Sequence, residues 1–340
     1  MSATGAQRSI YSVHVFSSRE GAVDVVEPVA AGAVEVHDAR GDVRRPSEPA
    51  PVVPPESAPG HLLRRAQQVH TELWGARVDG LTGPQYATLV AVAGWDDVDQ
   101  RRAGQLASLD KSTVADVVRR LADKGWVDRI RDPHDGRRRL LTLTDGSAER
   151  LAEVTEAARS VQRDILGPLP ASDRQEFTER LGRVARIEEA DVAGQRHEDG
   201  VLLMRAAPGY LIRRAQQVHT TLWSATVPDV TGPQYAVLAA LARLGTADQS
   251  RIGEAASLDS SSTADIVARL GAQGWVAKET SAEDRRRARV RLTAPARSAL
   301  RSLTGPVEAV QSALLGPLGP EERAVFIGHL HEVACTGRRP

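Results

Sequence analysis

Two short stretches of this 340-residue chain concentrate arginine in a pattern typical of a β-hairpin. The first stretch contains the turn sequence Asp132-Pro133-His134-Asp135-Gly136 between two segments that predict strands. The cationic side chains are Arg129, Arg131, Arg137, Arg138 and Arg139 in the first stretch and Arg285, Arg286, Arg287, Arg289 and Arg291 in the second. Guanidinium groups on a hairpin tip suit the narrow, strongly negative minor groove of duplex DNA. Their repetition favours a polyanion contact over a merely solvated surface.

The segment before each hairpin predicts a helix with a core face and a polar outer face. Asp110 or Ser112 can cap the first such helix, which runs to about Lys124 and ends at Gly125. Its expected core face is Val114, Val117, Val118 and Leu121. The opposite face supplies the candidate DNA contacts, which are Lys111, Ser112, Thr113, Asp116, Arg119 and Arg120, with Ser261, Ser262, Asp265 and Arg269 in the second stretch. We expect the hydroxyls and the free N–H groups at the helix N-terminus to meet phosphates.

These stretches recur because one segment is present twice, 149 residues apart. From Pro59 to Gly146, set against Pro208 to Pro295, 46 of 88 positions are identical without a gap. We therefore expect two copies of one domain, at 58–189 and 208–335, joined by a linker at 190–207. Fully extended, that linker reaches about 60 Å. Residues 1–57 end in a Pro-rich stretch and predict a disordered tail, with a small hairpin near Tyr11–Phe16 as the alternative.

Within each copy the hydrophobic periodicity predicts four helices, one hairpin and two further helices. In copy one the helices are expected at about 60–78, 85–93, 99–108, 110–124, 147–166 and 172–189, and the strands at 126–131 and 138–143. A short helix, a tight turn, a longer capped helix and a basic hairpin describe a winged helix-turn-helix. The predicted fold class is mainly α with small β wings, as two tandem winged helix-turn-helix domains forming a pseudo-dimer.

A polar and aromatic stripe on the first helix of each copy is a candidate ligand site. It comprises Arg64, Gln67, His70 and Trp74 in copy one and Arg213, Gln216, His219 and Trp223 in copy two. In one interpretation the stripe lines an effector pocket, with the arginines available for a carboxylate. In the other, the tryptophans are interface core and the histidines are satisfied buried groups. Tyr86 and Tyr235 are expected to anchor the second helix rather than to bind the ligand.

Composition limits the classes of function. The net charge is zero, but residues 99–144 carry 11 Lys and Arg against 7 Asp and Glu, whereas residues 248–293 carry 8 against 7. Ser260 and Ala268 replace Lys111 and Arg119, so copy two is expected to hold phosphates less strongly. The single cysteine, Cys335, excludes an internal disulfide and favours a reducing cytoplasm. No signal peptide, membrane span, catalytic constellation, metal motif or cofactor loop is evident, so we expect neither an enzyme nor a bound cofactor.

The sequence resembles the multiple-antibiotic-resistance regulator (MarR) family over about 260 of the 340 residues. The resemblance rests on Leu81–Tyr86, Lys111–Val114, Arg120–Arg129 and the hairpin Asp132–Thr144, with Asp284–Arg287 and Leu292-Thr293 in copy two. It implies that the first and last helices build a dimer interface, that winged lobes bind DNA, and that a small anion or aromatic ligand releases it. It also implies that Arg137 and Arg286 enter the minor groove. Asp116 and Asp265 depart from the basic residue common in this family, and either accept from cytosine N4 or orient a neighbouring arginine.

The sequence therefore predicts a sequence-specific, double-stranded-DNA-binding transcriptional regulator, a repressor released by a small aromatic or phenolic acid. Its expected partners are a pseudo-palindromic operator and the effector, with an intramolecular pseudo-dimer that leaves further homodimerisation open. The alternative is a ligand-binding or protein-interaction module that has lost DNA binding in one or both copies. Retention of the arginine hairpin favours the first interpretation.

Overall fold

The computed structural model describes residues 58–187, 195–196, 202–280 and 288–335. All of them belong to one compact unit, Pro49–Pro340, whereas the unit Met1–Glu48 lies outside the described residues. The predicted Pro-rich tail at 1–57 and the predicted DNA contacts Arg285, Arg286 and Arg287 therefore lie outside the described part of the chain.

Copy one contains six helices and one hairpin among the described residues. The helices are α1 (Pro59–Arg77), α2 (Gly83–Gly94), α3 (Gln100–Leu106), α4 (Lys111–Asp123), α5 (Ser147–Ile165) and α6 (Arg174–Val184), and the strands are β1 (Val127–Arg131) and β2 (Arg139–Leu143). The two strands are antiparallel, with Val127 opposite Leu143 and Arg131 opposite Arg139. A short 3₁₀ turn, Met204–Ala206, precedes copy two.

Copy two repeats this order. Its helices are α7 (Pro208–Thr226), α8 (Gly232–Leu244), α9 (Gln249–Ala256), α10 (Ser260–Ala272), α11 (Ala294–Leu314) and α12 (Pro320–Cys335). Its strands are β3 (Thr246–Ala247), β4 (Val276–Thr280) and β5 (Ala288–Leu292), and they form an antiparallel sheet in the order β3-β5-β4. The predicted fold class, mainly α with small β wings in two tandem winged helix-turn-helix domains, is confirmed.

Local sequence explains where the helices of each lobe begin and end. Thr82 and Gln85 form a capping box at the start of α2, and Thr231 and Gln234 repeat it in α8. Helix α3 is shorter than the predicted 99–108, because Asp99 is its N-cap and Ser108 has a left-handed φ of 51°. Ser257 has the same φ in copy two, so both helix-turn-helix turns hold a serine in a conformation that non-glycine residues seldom adopt.

Helix α6 ends well before the predicted residue 189. Arg186 has a φ of 52°, and the Ile187 N–H donates to the carbonyl of Gly182 at 3.1 Å while the Arg186 N–H donates to Arg183 at 3.0 Å. This pair of bonds is the Schellman arrangement, which satisfies the last carbonyls of a helix and stops it. Because an arginine and not a glycine occupies the left-handed position, this stop could not be predicted from the sequence.

The two copies share one hydrophobic core in addition to the core of each lobe. The shared core consists of α1, α6 and the end of α5 in copy one and of α7, α12 and the end of α11 in copy two. Phe177 and Phe326 are fully buried at its centre and stack with ring centroids 5.6 Å apart. Arg183 of copy one also pairs with Glu322 of copy two. The layer that the resemblance assigns to a dimer interface is thus built within one chain.

Candidate nucleic-acid interface and ligand cavity

Helix α4 separates a buried face from an exposed face as its sequence predicts. Val114, Val117, Val118 and Leu121 are buried in the lobe of copy one. The side chains of the outer face are exposed or half-buried; they are Lys111, Ser112, Thr113, Asp116, Arg119 and Arg120. The helix therefore presents to solvent the set of residues that the spacing predicts, and their contact with DNA stays a prediction.

The N-terminus of α4 differs from the expectation of free donors. The carboxylate of Asp110 accepts from the N–H groups of Ser112 and Thr113, both at 2.9 Å, and from both hydroxyls. Burial opposes ionisation of Asp110, but these four hydrogen bonds outweigh it and hold its pKa at about 2. The N–H groups and hydroxyls of Ser112 and Thr113 are therefore engaged by the cap, so these two N–H groups are not free as expected. The contact of the two hydroxyl oxygens with phosphates stays a prediction.

Asp116 lies within reach of both arginines of the outer face. Its carboxylate is 2.9 Å from the Arg119 guanidinium and 3.9 Å from that of Arg120. All three side chains are more than half exposed, so water screens these pairs and they add little to stability. This geometry favours the second interpretation of Asp116, in which its carboxylate orients a neighbouring arginine.

The hairpin of copy one divides its arginines into two groups. Arg137 and Arg139 are exposed at the tip, as a DNA-contacting wing requires. Arg138 instead donates to Asp99 at 2.9 Å, to Asp132 at 3.3 Å and to the carbonyl of Asp97 at 2.7 Å. These contacts fasten the hairpin to the start of α3, so Arg138, predicted as a DNA contact, is placed as an anchor of the wing.

In copy two the described residues reproduce the helix but with fewer cations. Asp259 caps α10, and its carboxylate accepts from the hydroxyls of Ser261 and Ser262 at 2.6 and 2.7 Å. Asp265 and Arg269 are exposed. Ser260 and Ala268 are exposed at the positions of Lys111 and Arg119, so the loss of two cations falls on the outer face.

A cavity of about 300 Å³ lies between the lobe of copy one and the shared layer. Gln67, His70 and Trp74, three of the predicted ligand residues, line it together with Arg213 of copy two. Arg64 does not belong to this wall: its guanidinium donates to the carbonyl of Ala256 at 2.7 Å and lies near His219. The predicted ligand set therefore divides across the copies. One group is Gln67, His70, Trp74 and Arg213, and the pseudo-symmetric group is Gln216, His219, Trp223 and Arg64.

The cavity contains polar atoms without partners. The Oε1 atom of Gln67 and the Nε atom of Arg213 are buried and have no hydrogen-bond partner among the described residues. Burial lowers the pKa of Arg213 to about 10, which leaves the guanidinium charged at neutral pH. Two residues that line the cavity therefore each carry a buried polar atom without a partner, which is costly and uncommon in folded proteins.

His70 is both a cavity residue and an interface residue. Its ring lies so close to Gly209 that a Cβ there would be 2.0 Å from Nε2. Burial, and next the charge of Arg213, lower its pKa to about 4, so the imidazole is neutral at neutral pH. Trp74 is 5.8 Å from it, between centroids, and donates from Nε1 to the Leu81 carbonyl at 2.7 Å. His70 is thus buried as the second interpretation expects, but Trp74 belongs to the core of the copy-one lobe rather than to the shared core.

Other cavity residues were missed by sequence reasoning. Gln162 of α5 accepts from the Gly209 N–H at 2.8 Å, and its counterpart Gln311 accepts from Gly60 at 3.0 Å. Because this glutamine recurs 149 residues later, the repeat could have identified it as a candidate. Tyr86, expected only as an anchor, lines the cavity while its hydroxyl is 3.0 Å from that of Thr155. Leu202, Met204 and Tyr210, from the linker and copy two, also line it.

In the described part of the chain, no helix combines the length and the apolar character that a membrane span requires. Within the same ranges, no cluster of three or more His, Cys, Asp or Glu side chains has the geometry to hold a metal ion.

Helices α2, α3 and α4 with the hairpin β1–β2 form a winged helix-turn-helix lobe, and α8, α9 and α10 with β4 and β5 form the second. This arrangement defines the class of winged helix-turn-helix proteins. The model of the MarR family matches residues 79–138 and again residues 229–287, which confirms the tandem duplication. The transcriptional regulator HosA of Escherichia coli O111:H- is 32% identical over 124 residues, covering 36% of this chain and 92% of HosA. The chain belongs to the MarR family.

Other relatives extend this comparison. The HTH-type transcriptional repressor NicR of Pseudomonas putida is 31% identical over 117 residues, 34% of this chain and 74% of NicR. The crystal structure of the PcaV transcriptional regulator from Streptomyces coelicolor, in complex with its natural ligand, is 42% identical with a TM-score of 0.36, and it covers 38% of this chain and 92% of PcaV. The family and these relatives are transcriptional regulators rather than enzymes.

Proposed function

We propose that this protein is a sequence-specific DNA-binding transcriptional repressor whose two lobes occupy one pseudo-palindromic operator. The observation that carries the proposal is the exposed outer face of α4 beside an exposed arginine tip, repeated in copy two as far as α10 is described. Membership in a family of transcriptional regulators and similarity to a protein named as a repressor support it. Such a protein acts in the cytoplasm, where bacterial operators are accessible.

In this proposal the outer face of α4 enters the major groove. Lys111, Arg119 and Arg120 contact phosphates, while the hydroxyl oxygens of Ser112 and Thr113, whose protons are held by Asp110, accept from base amino groups. Arg137 enters the minor groove and Arg139 contacts the backbone beside it. In copy two the same roles fall to Ser261, Ser262 and Arg269 and, by the repeat offset of 149, to Arg286, whereas Ala288 stands at the position of Arg139.

The effector that best fits the cavity is a small aromatic or phenolic acid. Trp74 and Tyr86 offer ring faces, and the unpartnered Nε of Arg213 offers a charged donor for a carboxylate. The Oε1 atom of Gln67 can accept from a hydroxyl on the ring. A volume of about 300 Å³ is at the small end of ligand sites and suits a single ring.

A hydrogen bond connects the cavity residue Arg213 to the turn that precedes helix α4. The same Arg213 guanidinium donates at 2.6 Å to the carbonyl of Ala107, and Gln217 donates at 2.6 Å to that of Ser108. These carbonyls lie in the turn between α3 and α4. A carboxylate that draws Arg213 toward the cavity weakens its hold on this turn, so the ligand has different affinities for the DNA-competent and released states. That difference is what release requires.

Selection of binding sites from a random duplex pool, with effector-free full-length protein, tests the DNA-binding part. We expect an enriched pseudo-palindrome, and Arg137→Ala should weaken binding to it by about 1–3 kcal/mol. Arg323→Ala, an equal loss of charge in the layer that joins the copies, is the matched control. Unchanged affinity in a folded Arg137→Ala variant rejects the wing assignment. Absence of any enriched sequence favours the alternative, a ligand or interaction module without DNA binding.

Tryptophan fluorescence tests the effector part, because Trp74 lines the cavity. We expect benzoate and its hydroxy derivatives to bind and to release the selected duplex, whereas phenol, which lacks the carboxylate, should bind at least about tenfold more weakly. Arg213→Ala should remove this preference, and His70→Ala and His219→Ala should each alter the response. Ligands that act equally on all these variants would place the pocket elsewhere.

A further inference from the structure

The described part of the linker is built into the copy-one lobe. The side chain of Gln195 is buried, its Nε2 donates to the Leu202 carbonyl at 2.9 Å, and its Oε1 accepts from the Met204 N–H at 3.3 Å. One amide therefore joins the two described pieces of the linker, 195–196 and 202–207. Hydrogen bonds of this kind, shielded from water, fix backbone that would otherwise be a free tether.

The next residue fastens this segment to the end of helix α2. The Arg196 N–H donates to the Gly94 carbonyl at 2.8 Å, and its guanidinium donates to the Ala93 carbonyl at 2.8 Å and pairs with Asp96. The last carbonyls of a helix have no partner within the helix, and Arg196 satisfies two of them. A Cβ on Gly94 would be 3.2 Å from Cγ of Gln195, so the linker packs closely against this helix end.

From this attachment the linker reaches the ligand cavity. Leu202, Met204 and Ala207 form part of its wall, and Tyr210 at the start of α7 completes that side. Met204 is 3% exposed and belongs to the core of the copy-one lobe. A thioether side chain adapts to irregular gaps and makes favourable contacts with aromatic rings. The wall that faces Trp74 and Tyr86 is therefore supplied by the linker between the copies.

The two copies carry different side chains at the positions of this wall. By the repeat offset of 149, Tyr210 corresponds to His61, whereas Leu202 and Met204 precede the repeated segment that begins at Pro208. By contrast, Gln67, His70 and Trp74 recur unchanged as Gln216, His219 and Trp223. The polar groups that would hold a ligand are thus common to both copies, whereas the residues that would limit its size are not.

We propose that linker residues Leu202 and Met204, with Tyr210, determine the size of the aromatic acid that the copy-one cavity accepts. This inference rests on the proposed effector site. The inter-repeat linker is then a specificity element of the site, as well as a tether.

Calorimetric titration of the full chain with benzoate and with the larger 2-naphthoate tests this. Removing three side-chain atoms in Met204→Ala should shift the affinity ratio toward 2-naphthoate by about tenfold or more, since one methylene in an apolar pocket changes discrimination by about 10–200-fold. Leu202→Ala should shift it in the same direction and guards against a folding defect of the first variant. Met204→Leu conserves volume and should retain the wild-type ratio. Val325→Ala, at an exposed apolar position of α12, is the control outside the cavity.

The outcomes separate this inference from the proposed function. A ratio that moves in Met204→Ala and Leu202→Ala but not in Met204→Leu or Val325→Ala supports the inference. Binding of both acids with an unchanged ratio in the two alanine variants overturns it and leaves the effector class intact. If neither acid binds the wild type or either alanine variant, both the effector class and this inference fail, while the DNA-binding proposal is untouched.

Discussion

Replacing Gly209 by alanine should disrupt the contact between the copies at a single point. The added Cβ would lie 2.0 Å from Nε2, 2.2 Å from Cδ2 and 2.7 Å from Cε1 of His70. The imidazole cannot swing away freely, because it is 7% exposed, packs beside Trp74 and lies 3.5 Å from the amide of Gln162. The backbone of α7 and the ring must therefore move apart, which separates α7 from α1.

The size of the effect follows from two opposing contributions. Overpacking a well-filled core costs about 1–3 kcal/mol. Alanine is favoured over glycine inside a helix by about 0.5–1 kcal/mol, but this gain is smaller near an N-terminus. We expect a net loss of about 1–2 kcal/mol, which for a unit of this size lowers the melting temperature by roughly 2–4 °C per kcal/mol. Gly60→Ala should behave alike, because its Cβ would lie 2.1 Å from Nε2 of His219.

Thermal and urea denaturation of the full chain measure this loss. Gly328→Ala in α12 and Gly182→Ala in α6 are matched controls, since a Cβ at either position meets nothing within 4 Å. Both controls should keep or raise the wild-type stability through helix propensity alone. If Gly209→Ala and Gly60→Ala were as stable as the controls, the close packing of the first helices across the copies would be refuted.

Three further predictions concern the DNA face, the interface histidines and the oligomeric state. Lys111→Ser with Arg119→Ala should flatten the slope of log affinity against log salt by up to about 2, since each phosphate contact contributes about −0.9, and an unchanged slope would show that neither residue touches the backbone. Burial is the main cause that lowers the pKa values of His70 and His219 to about 4. The second cause is the charge of Arg213 for His70 and that of Arg64 for His219. The unfolded chain, with pKa values near 6.5, binds more protons between these values, so urea midpoints should fall as the pH drops from about 6.5 to about 4 and stay level above it. Light scattering should give a mass near 36.5 kDa, whereas a concentration-independent mass near twice that would indicate pairing between chains.

The helices, their caps and the outer face of α4 could be predicted because they depend on local pattern. The aliphatic spacing at Val114, Val117, Val118 and Leu121 fixes which side of α4 is buried, whatever the lobe packs against. Asp110 and Gly125 mark the two ends of this helix through their own conformational preferences, and both act as the sequence indicates. Local chemistry of this kind survives folding unchanged.

The candidate site was harder to predict, since it depends on contacts between distant residues. Arg138 looked like its neighbours in the hairpin, but Asp99, 39 residues earlier, engages it. Arg64 shares a helix with His70, yet the arginine that approaches His70 is Arg213 of the other copy. Nothing in a linear pattern reveals such an exchange, because it arises from how α1 and α7 cross in the shared layer.

That exchange gives the fused chain a property that a pair of identical chains lacks. Each first helix holds the helix-turn-helix turn of the opposite copy: Arg64 and Gln68 donate to the carbonyls of Ala256 and Ser257, and α7 makes the equivalent contacts with Ala107 and Ser108. In a homodimer, a substitution in the first helix would change both turns at once. Here the residues that hold the copy-one turn lie on α7, and those that hold the copy-two turn lie on α1. Each turn can therefore change its contacts independently of the other, while the shared core that contains Phe177 and Phe326 joins the two copies.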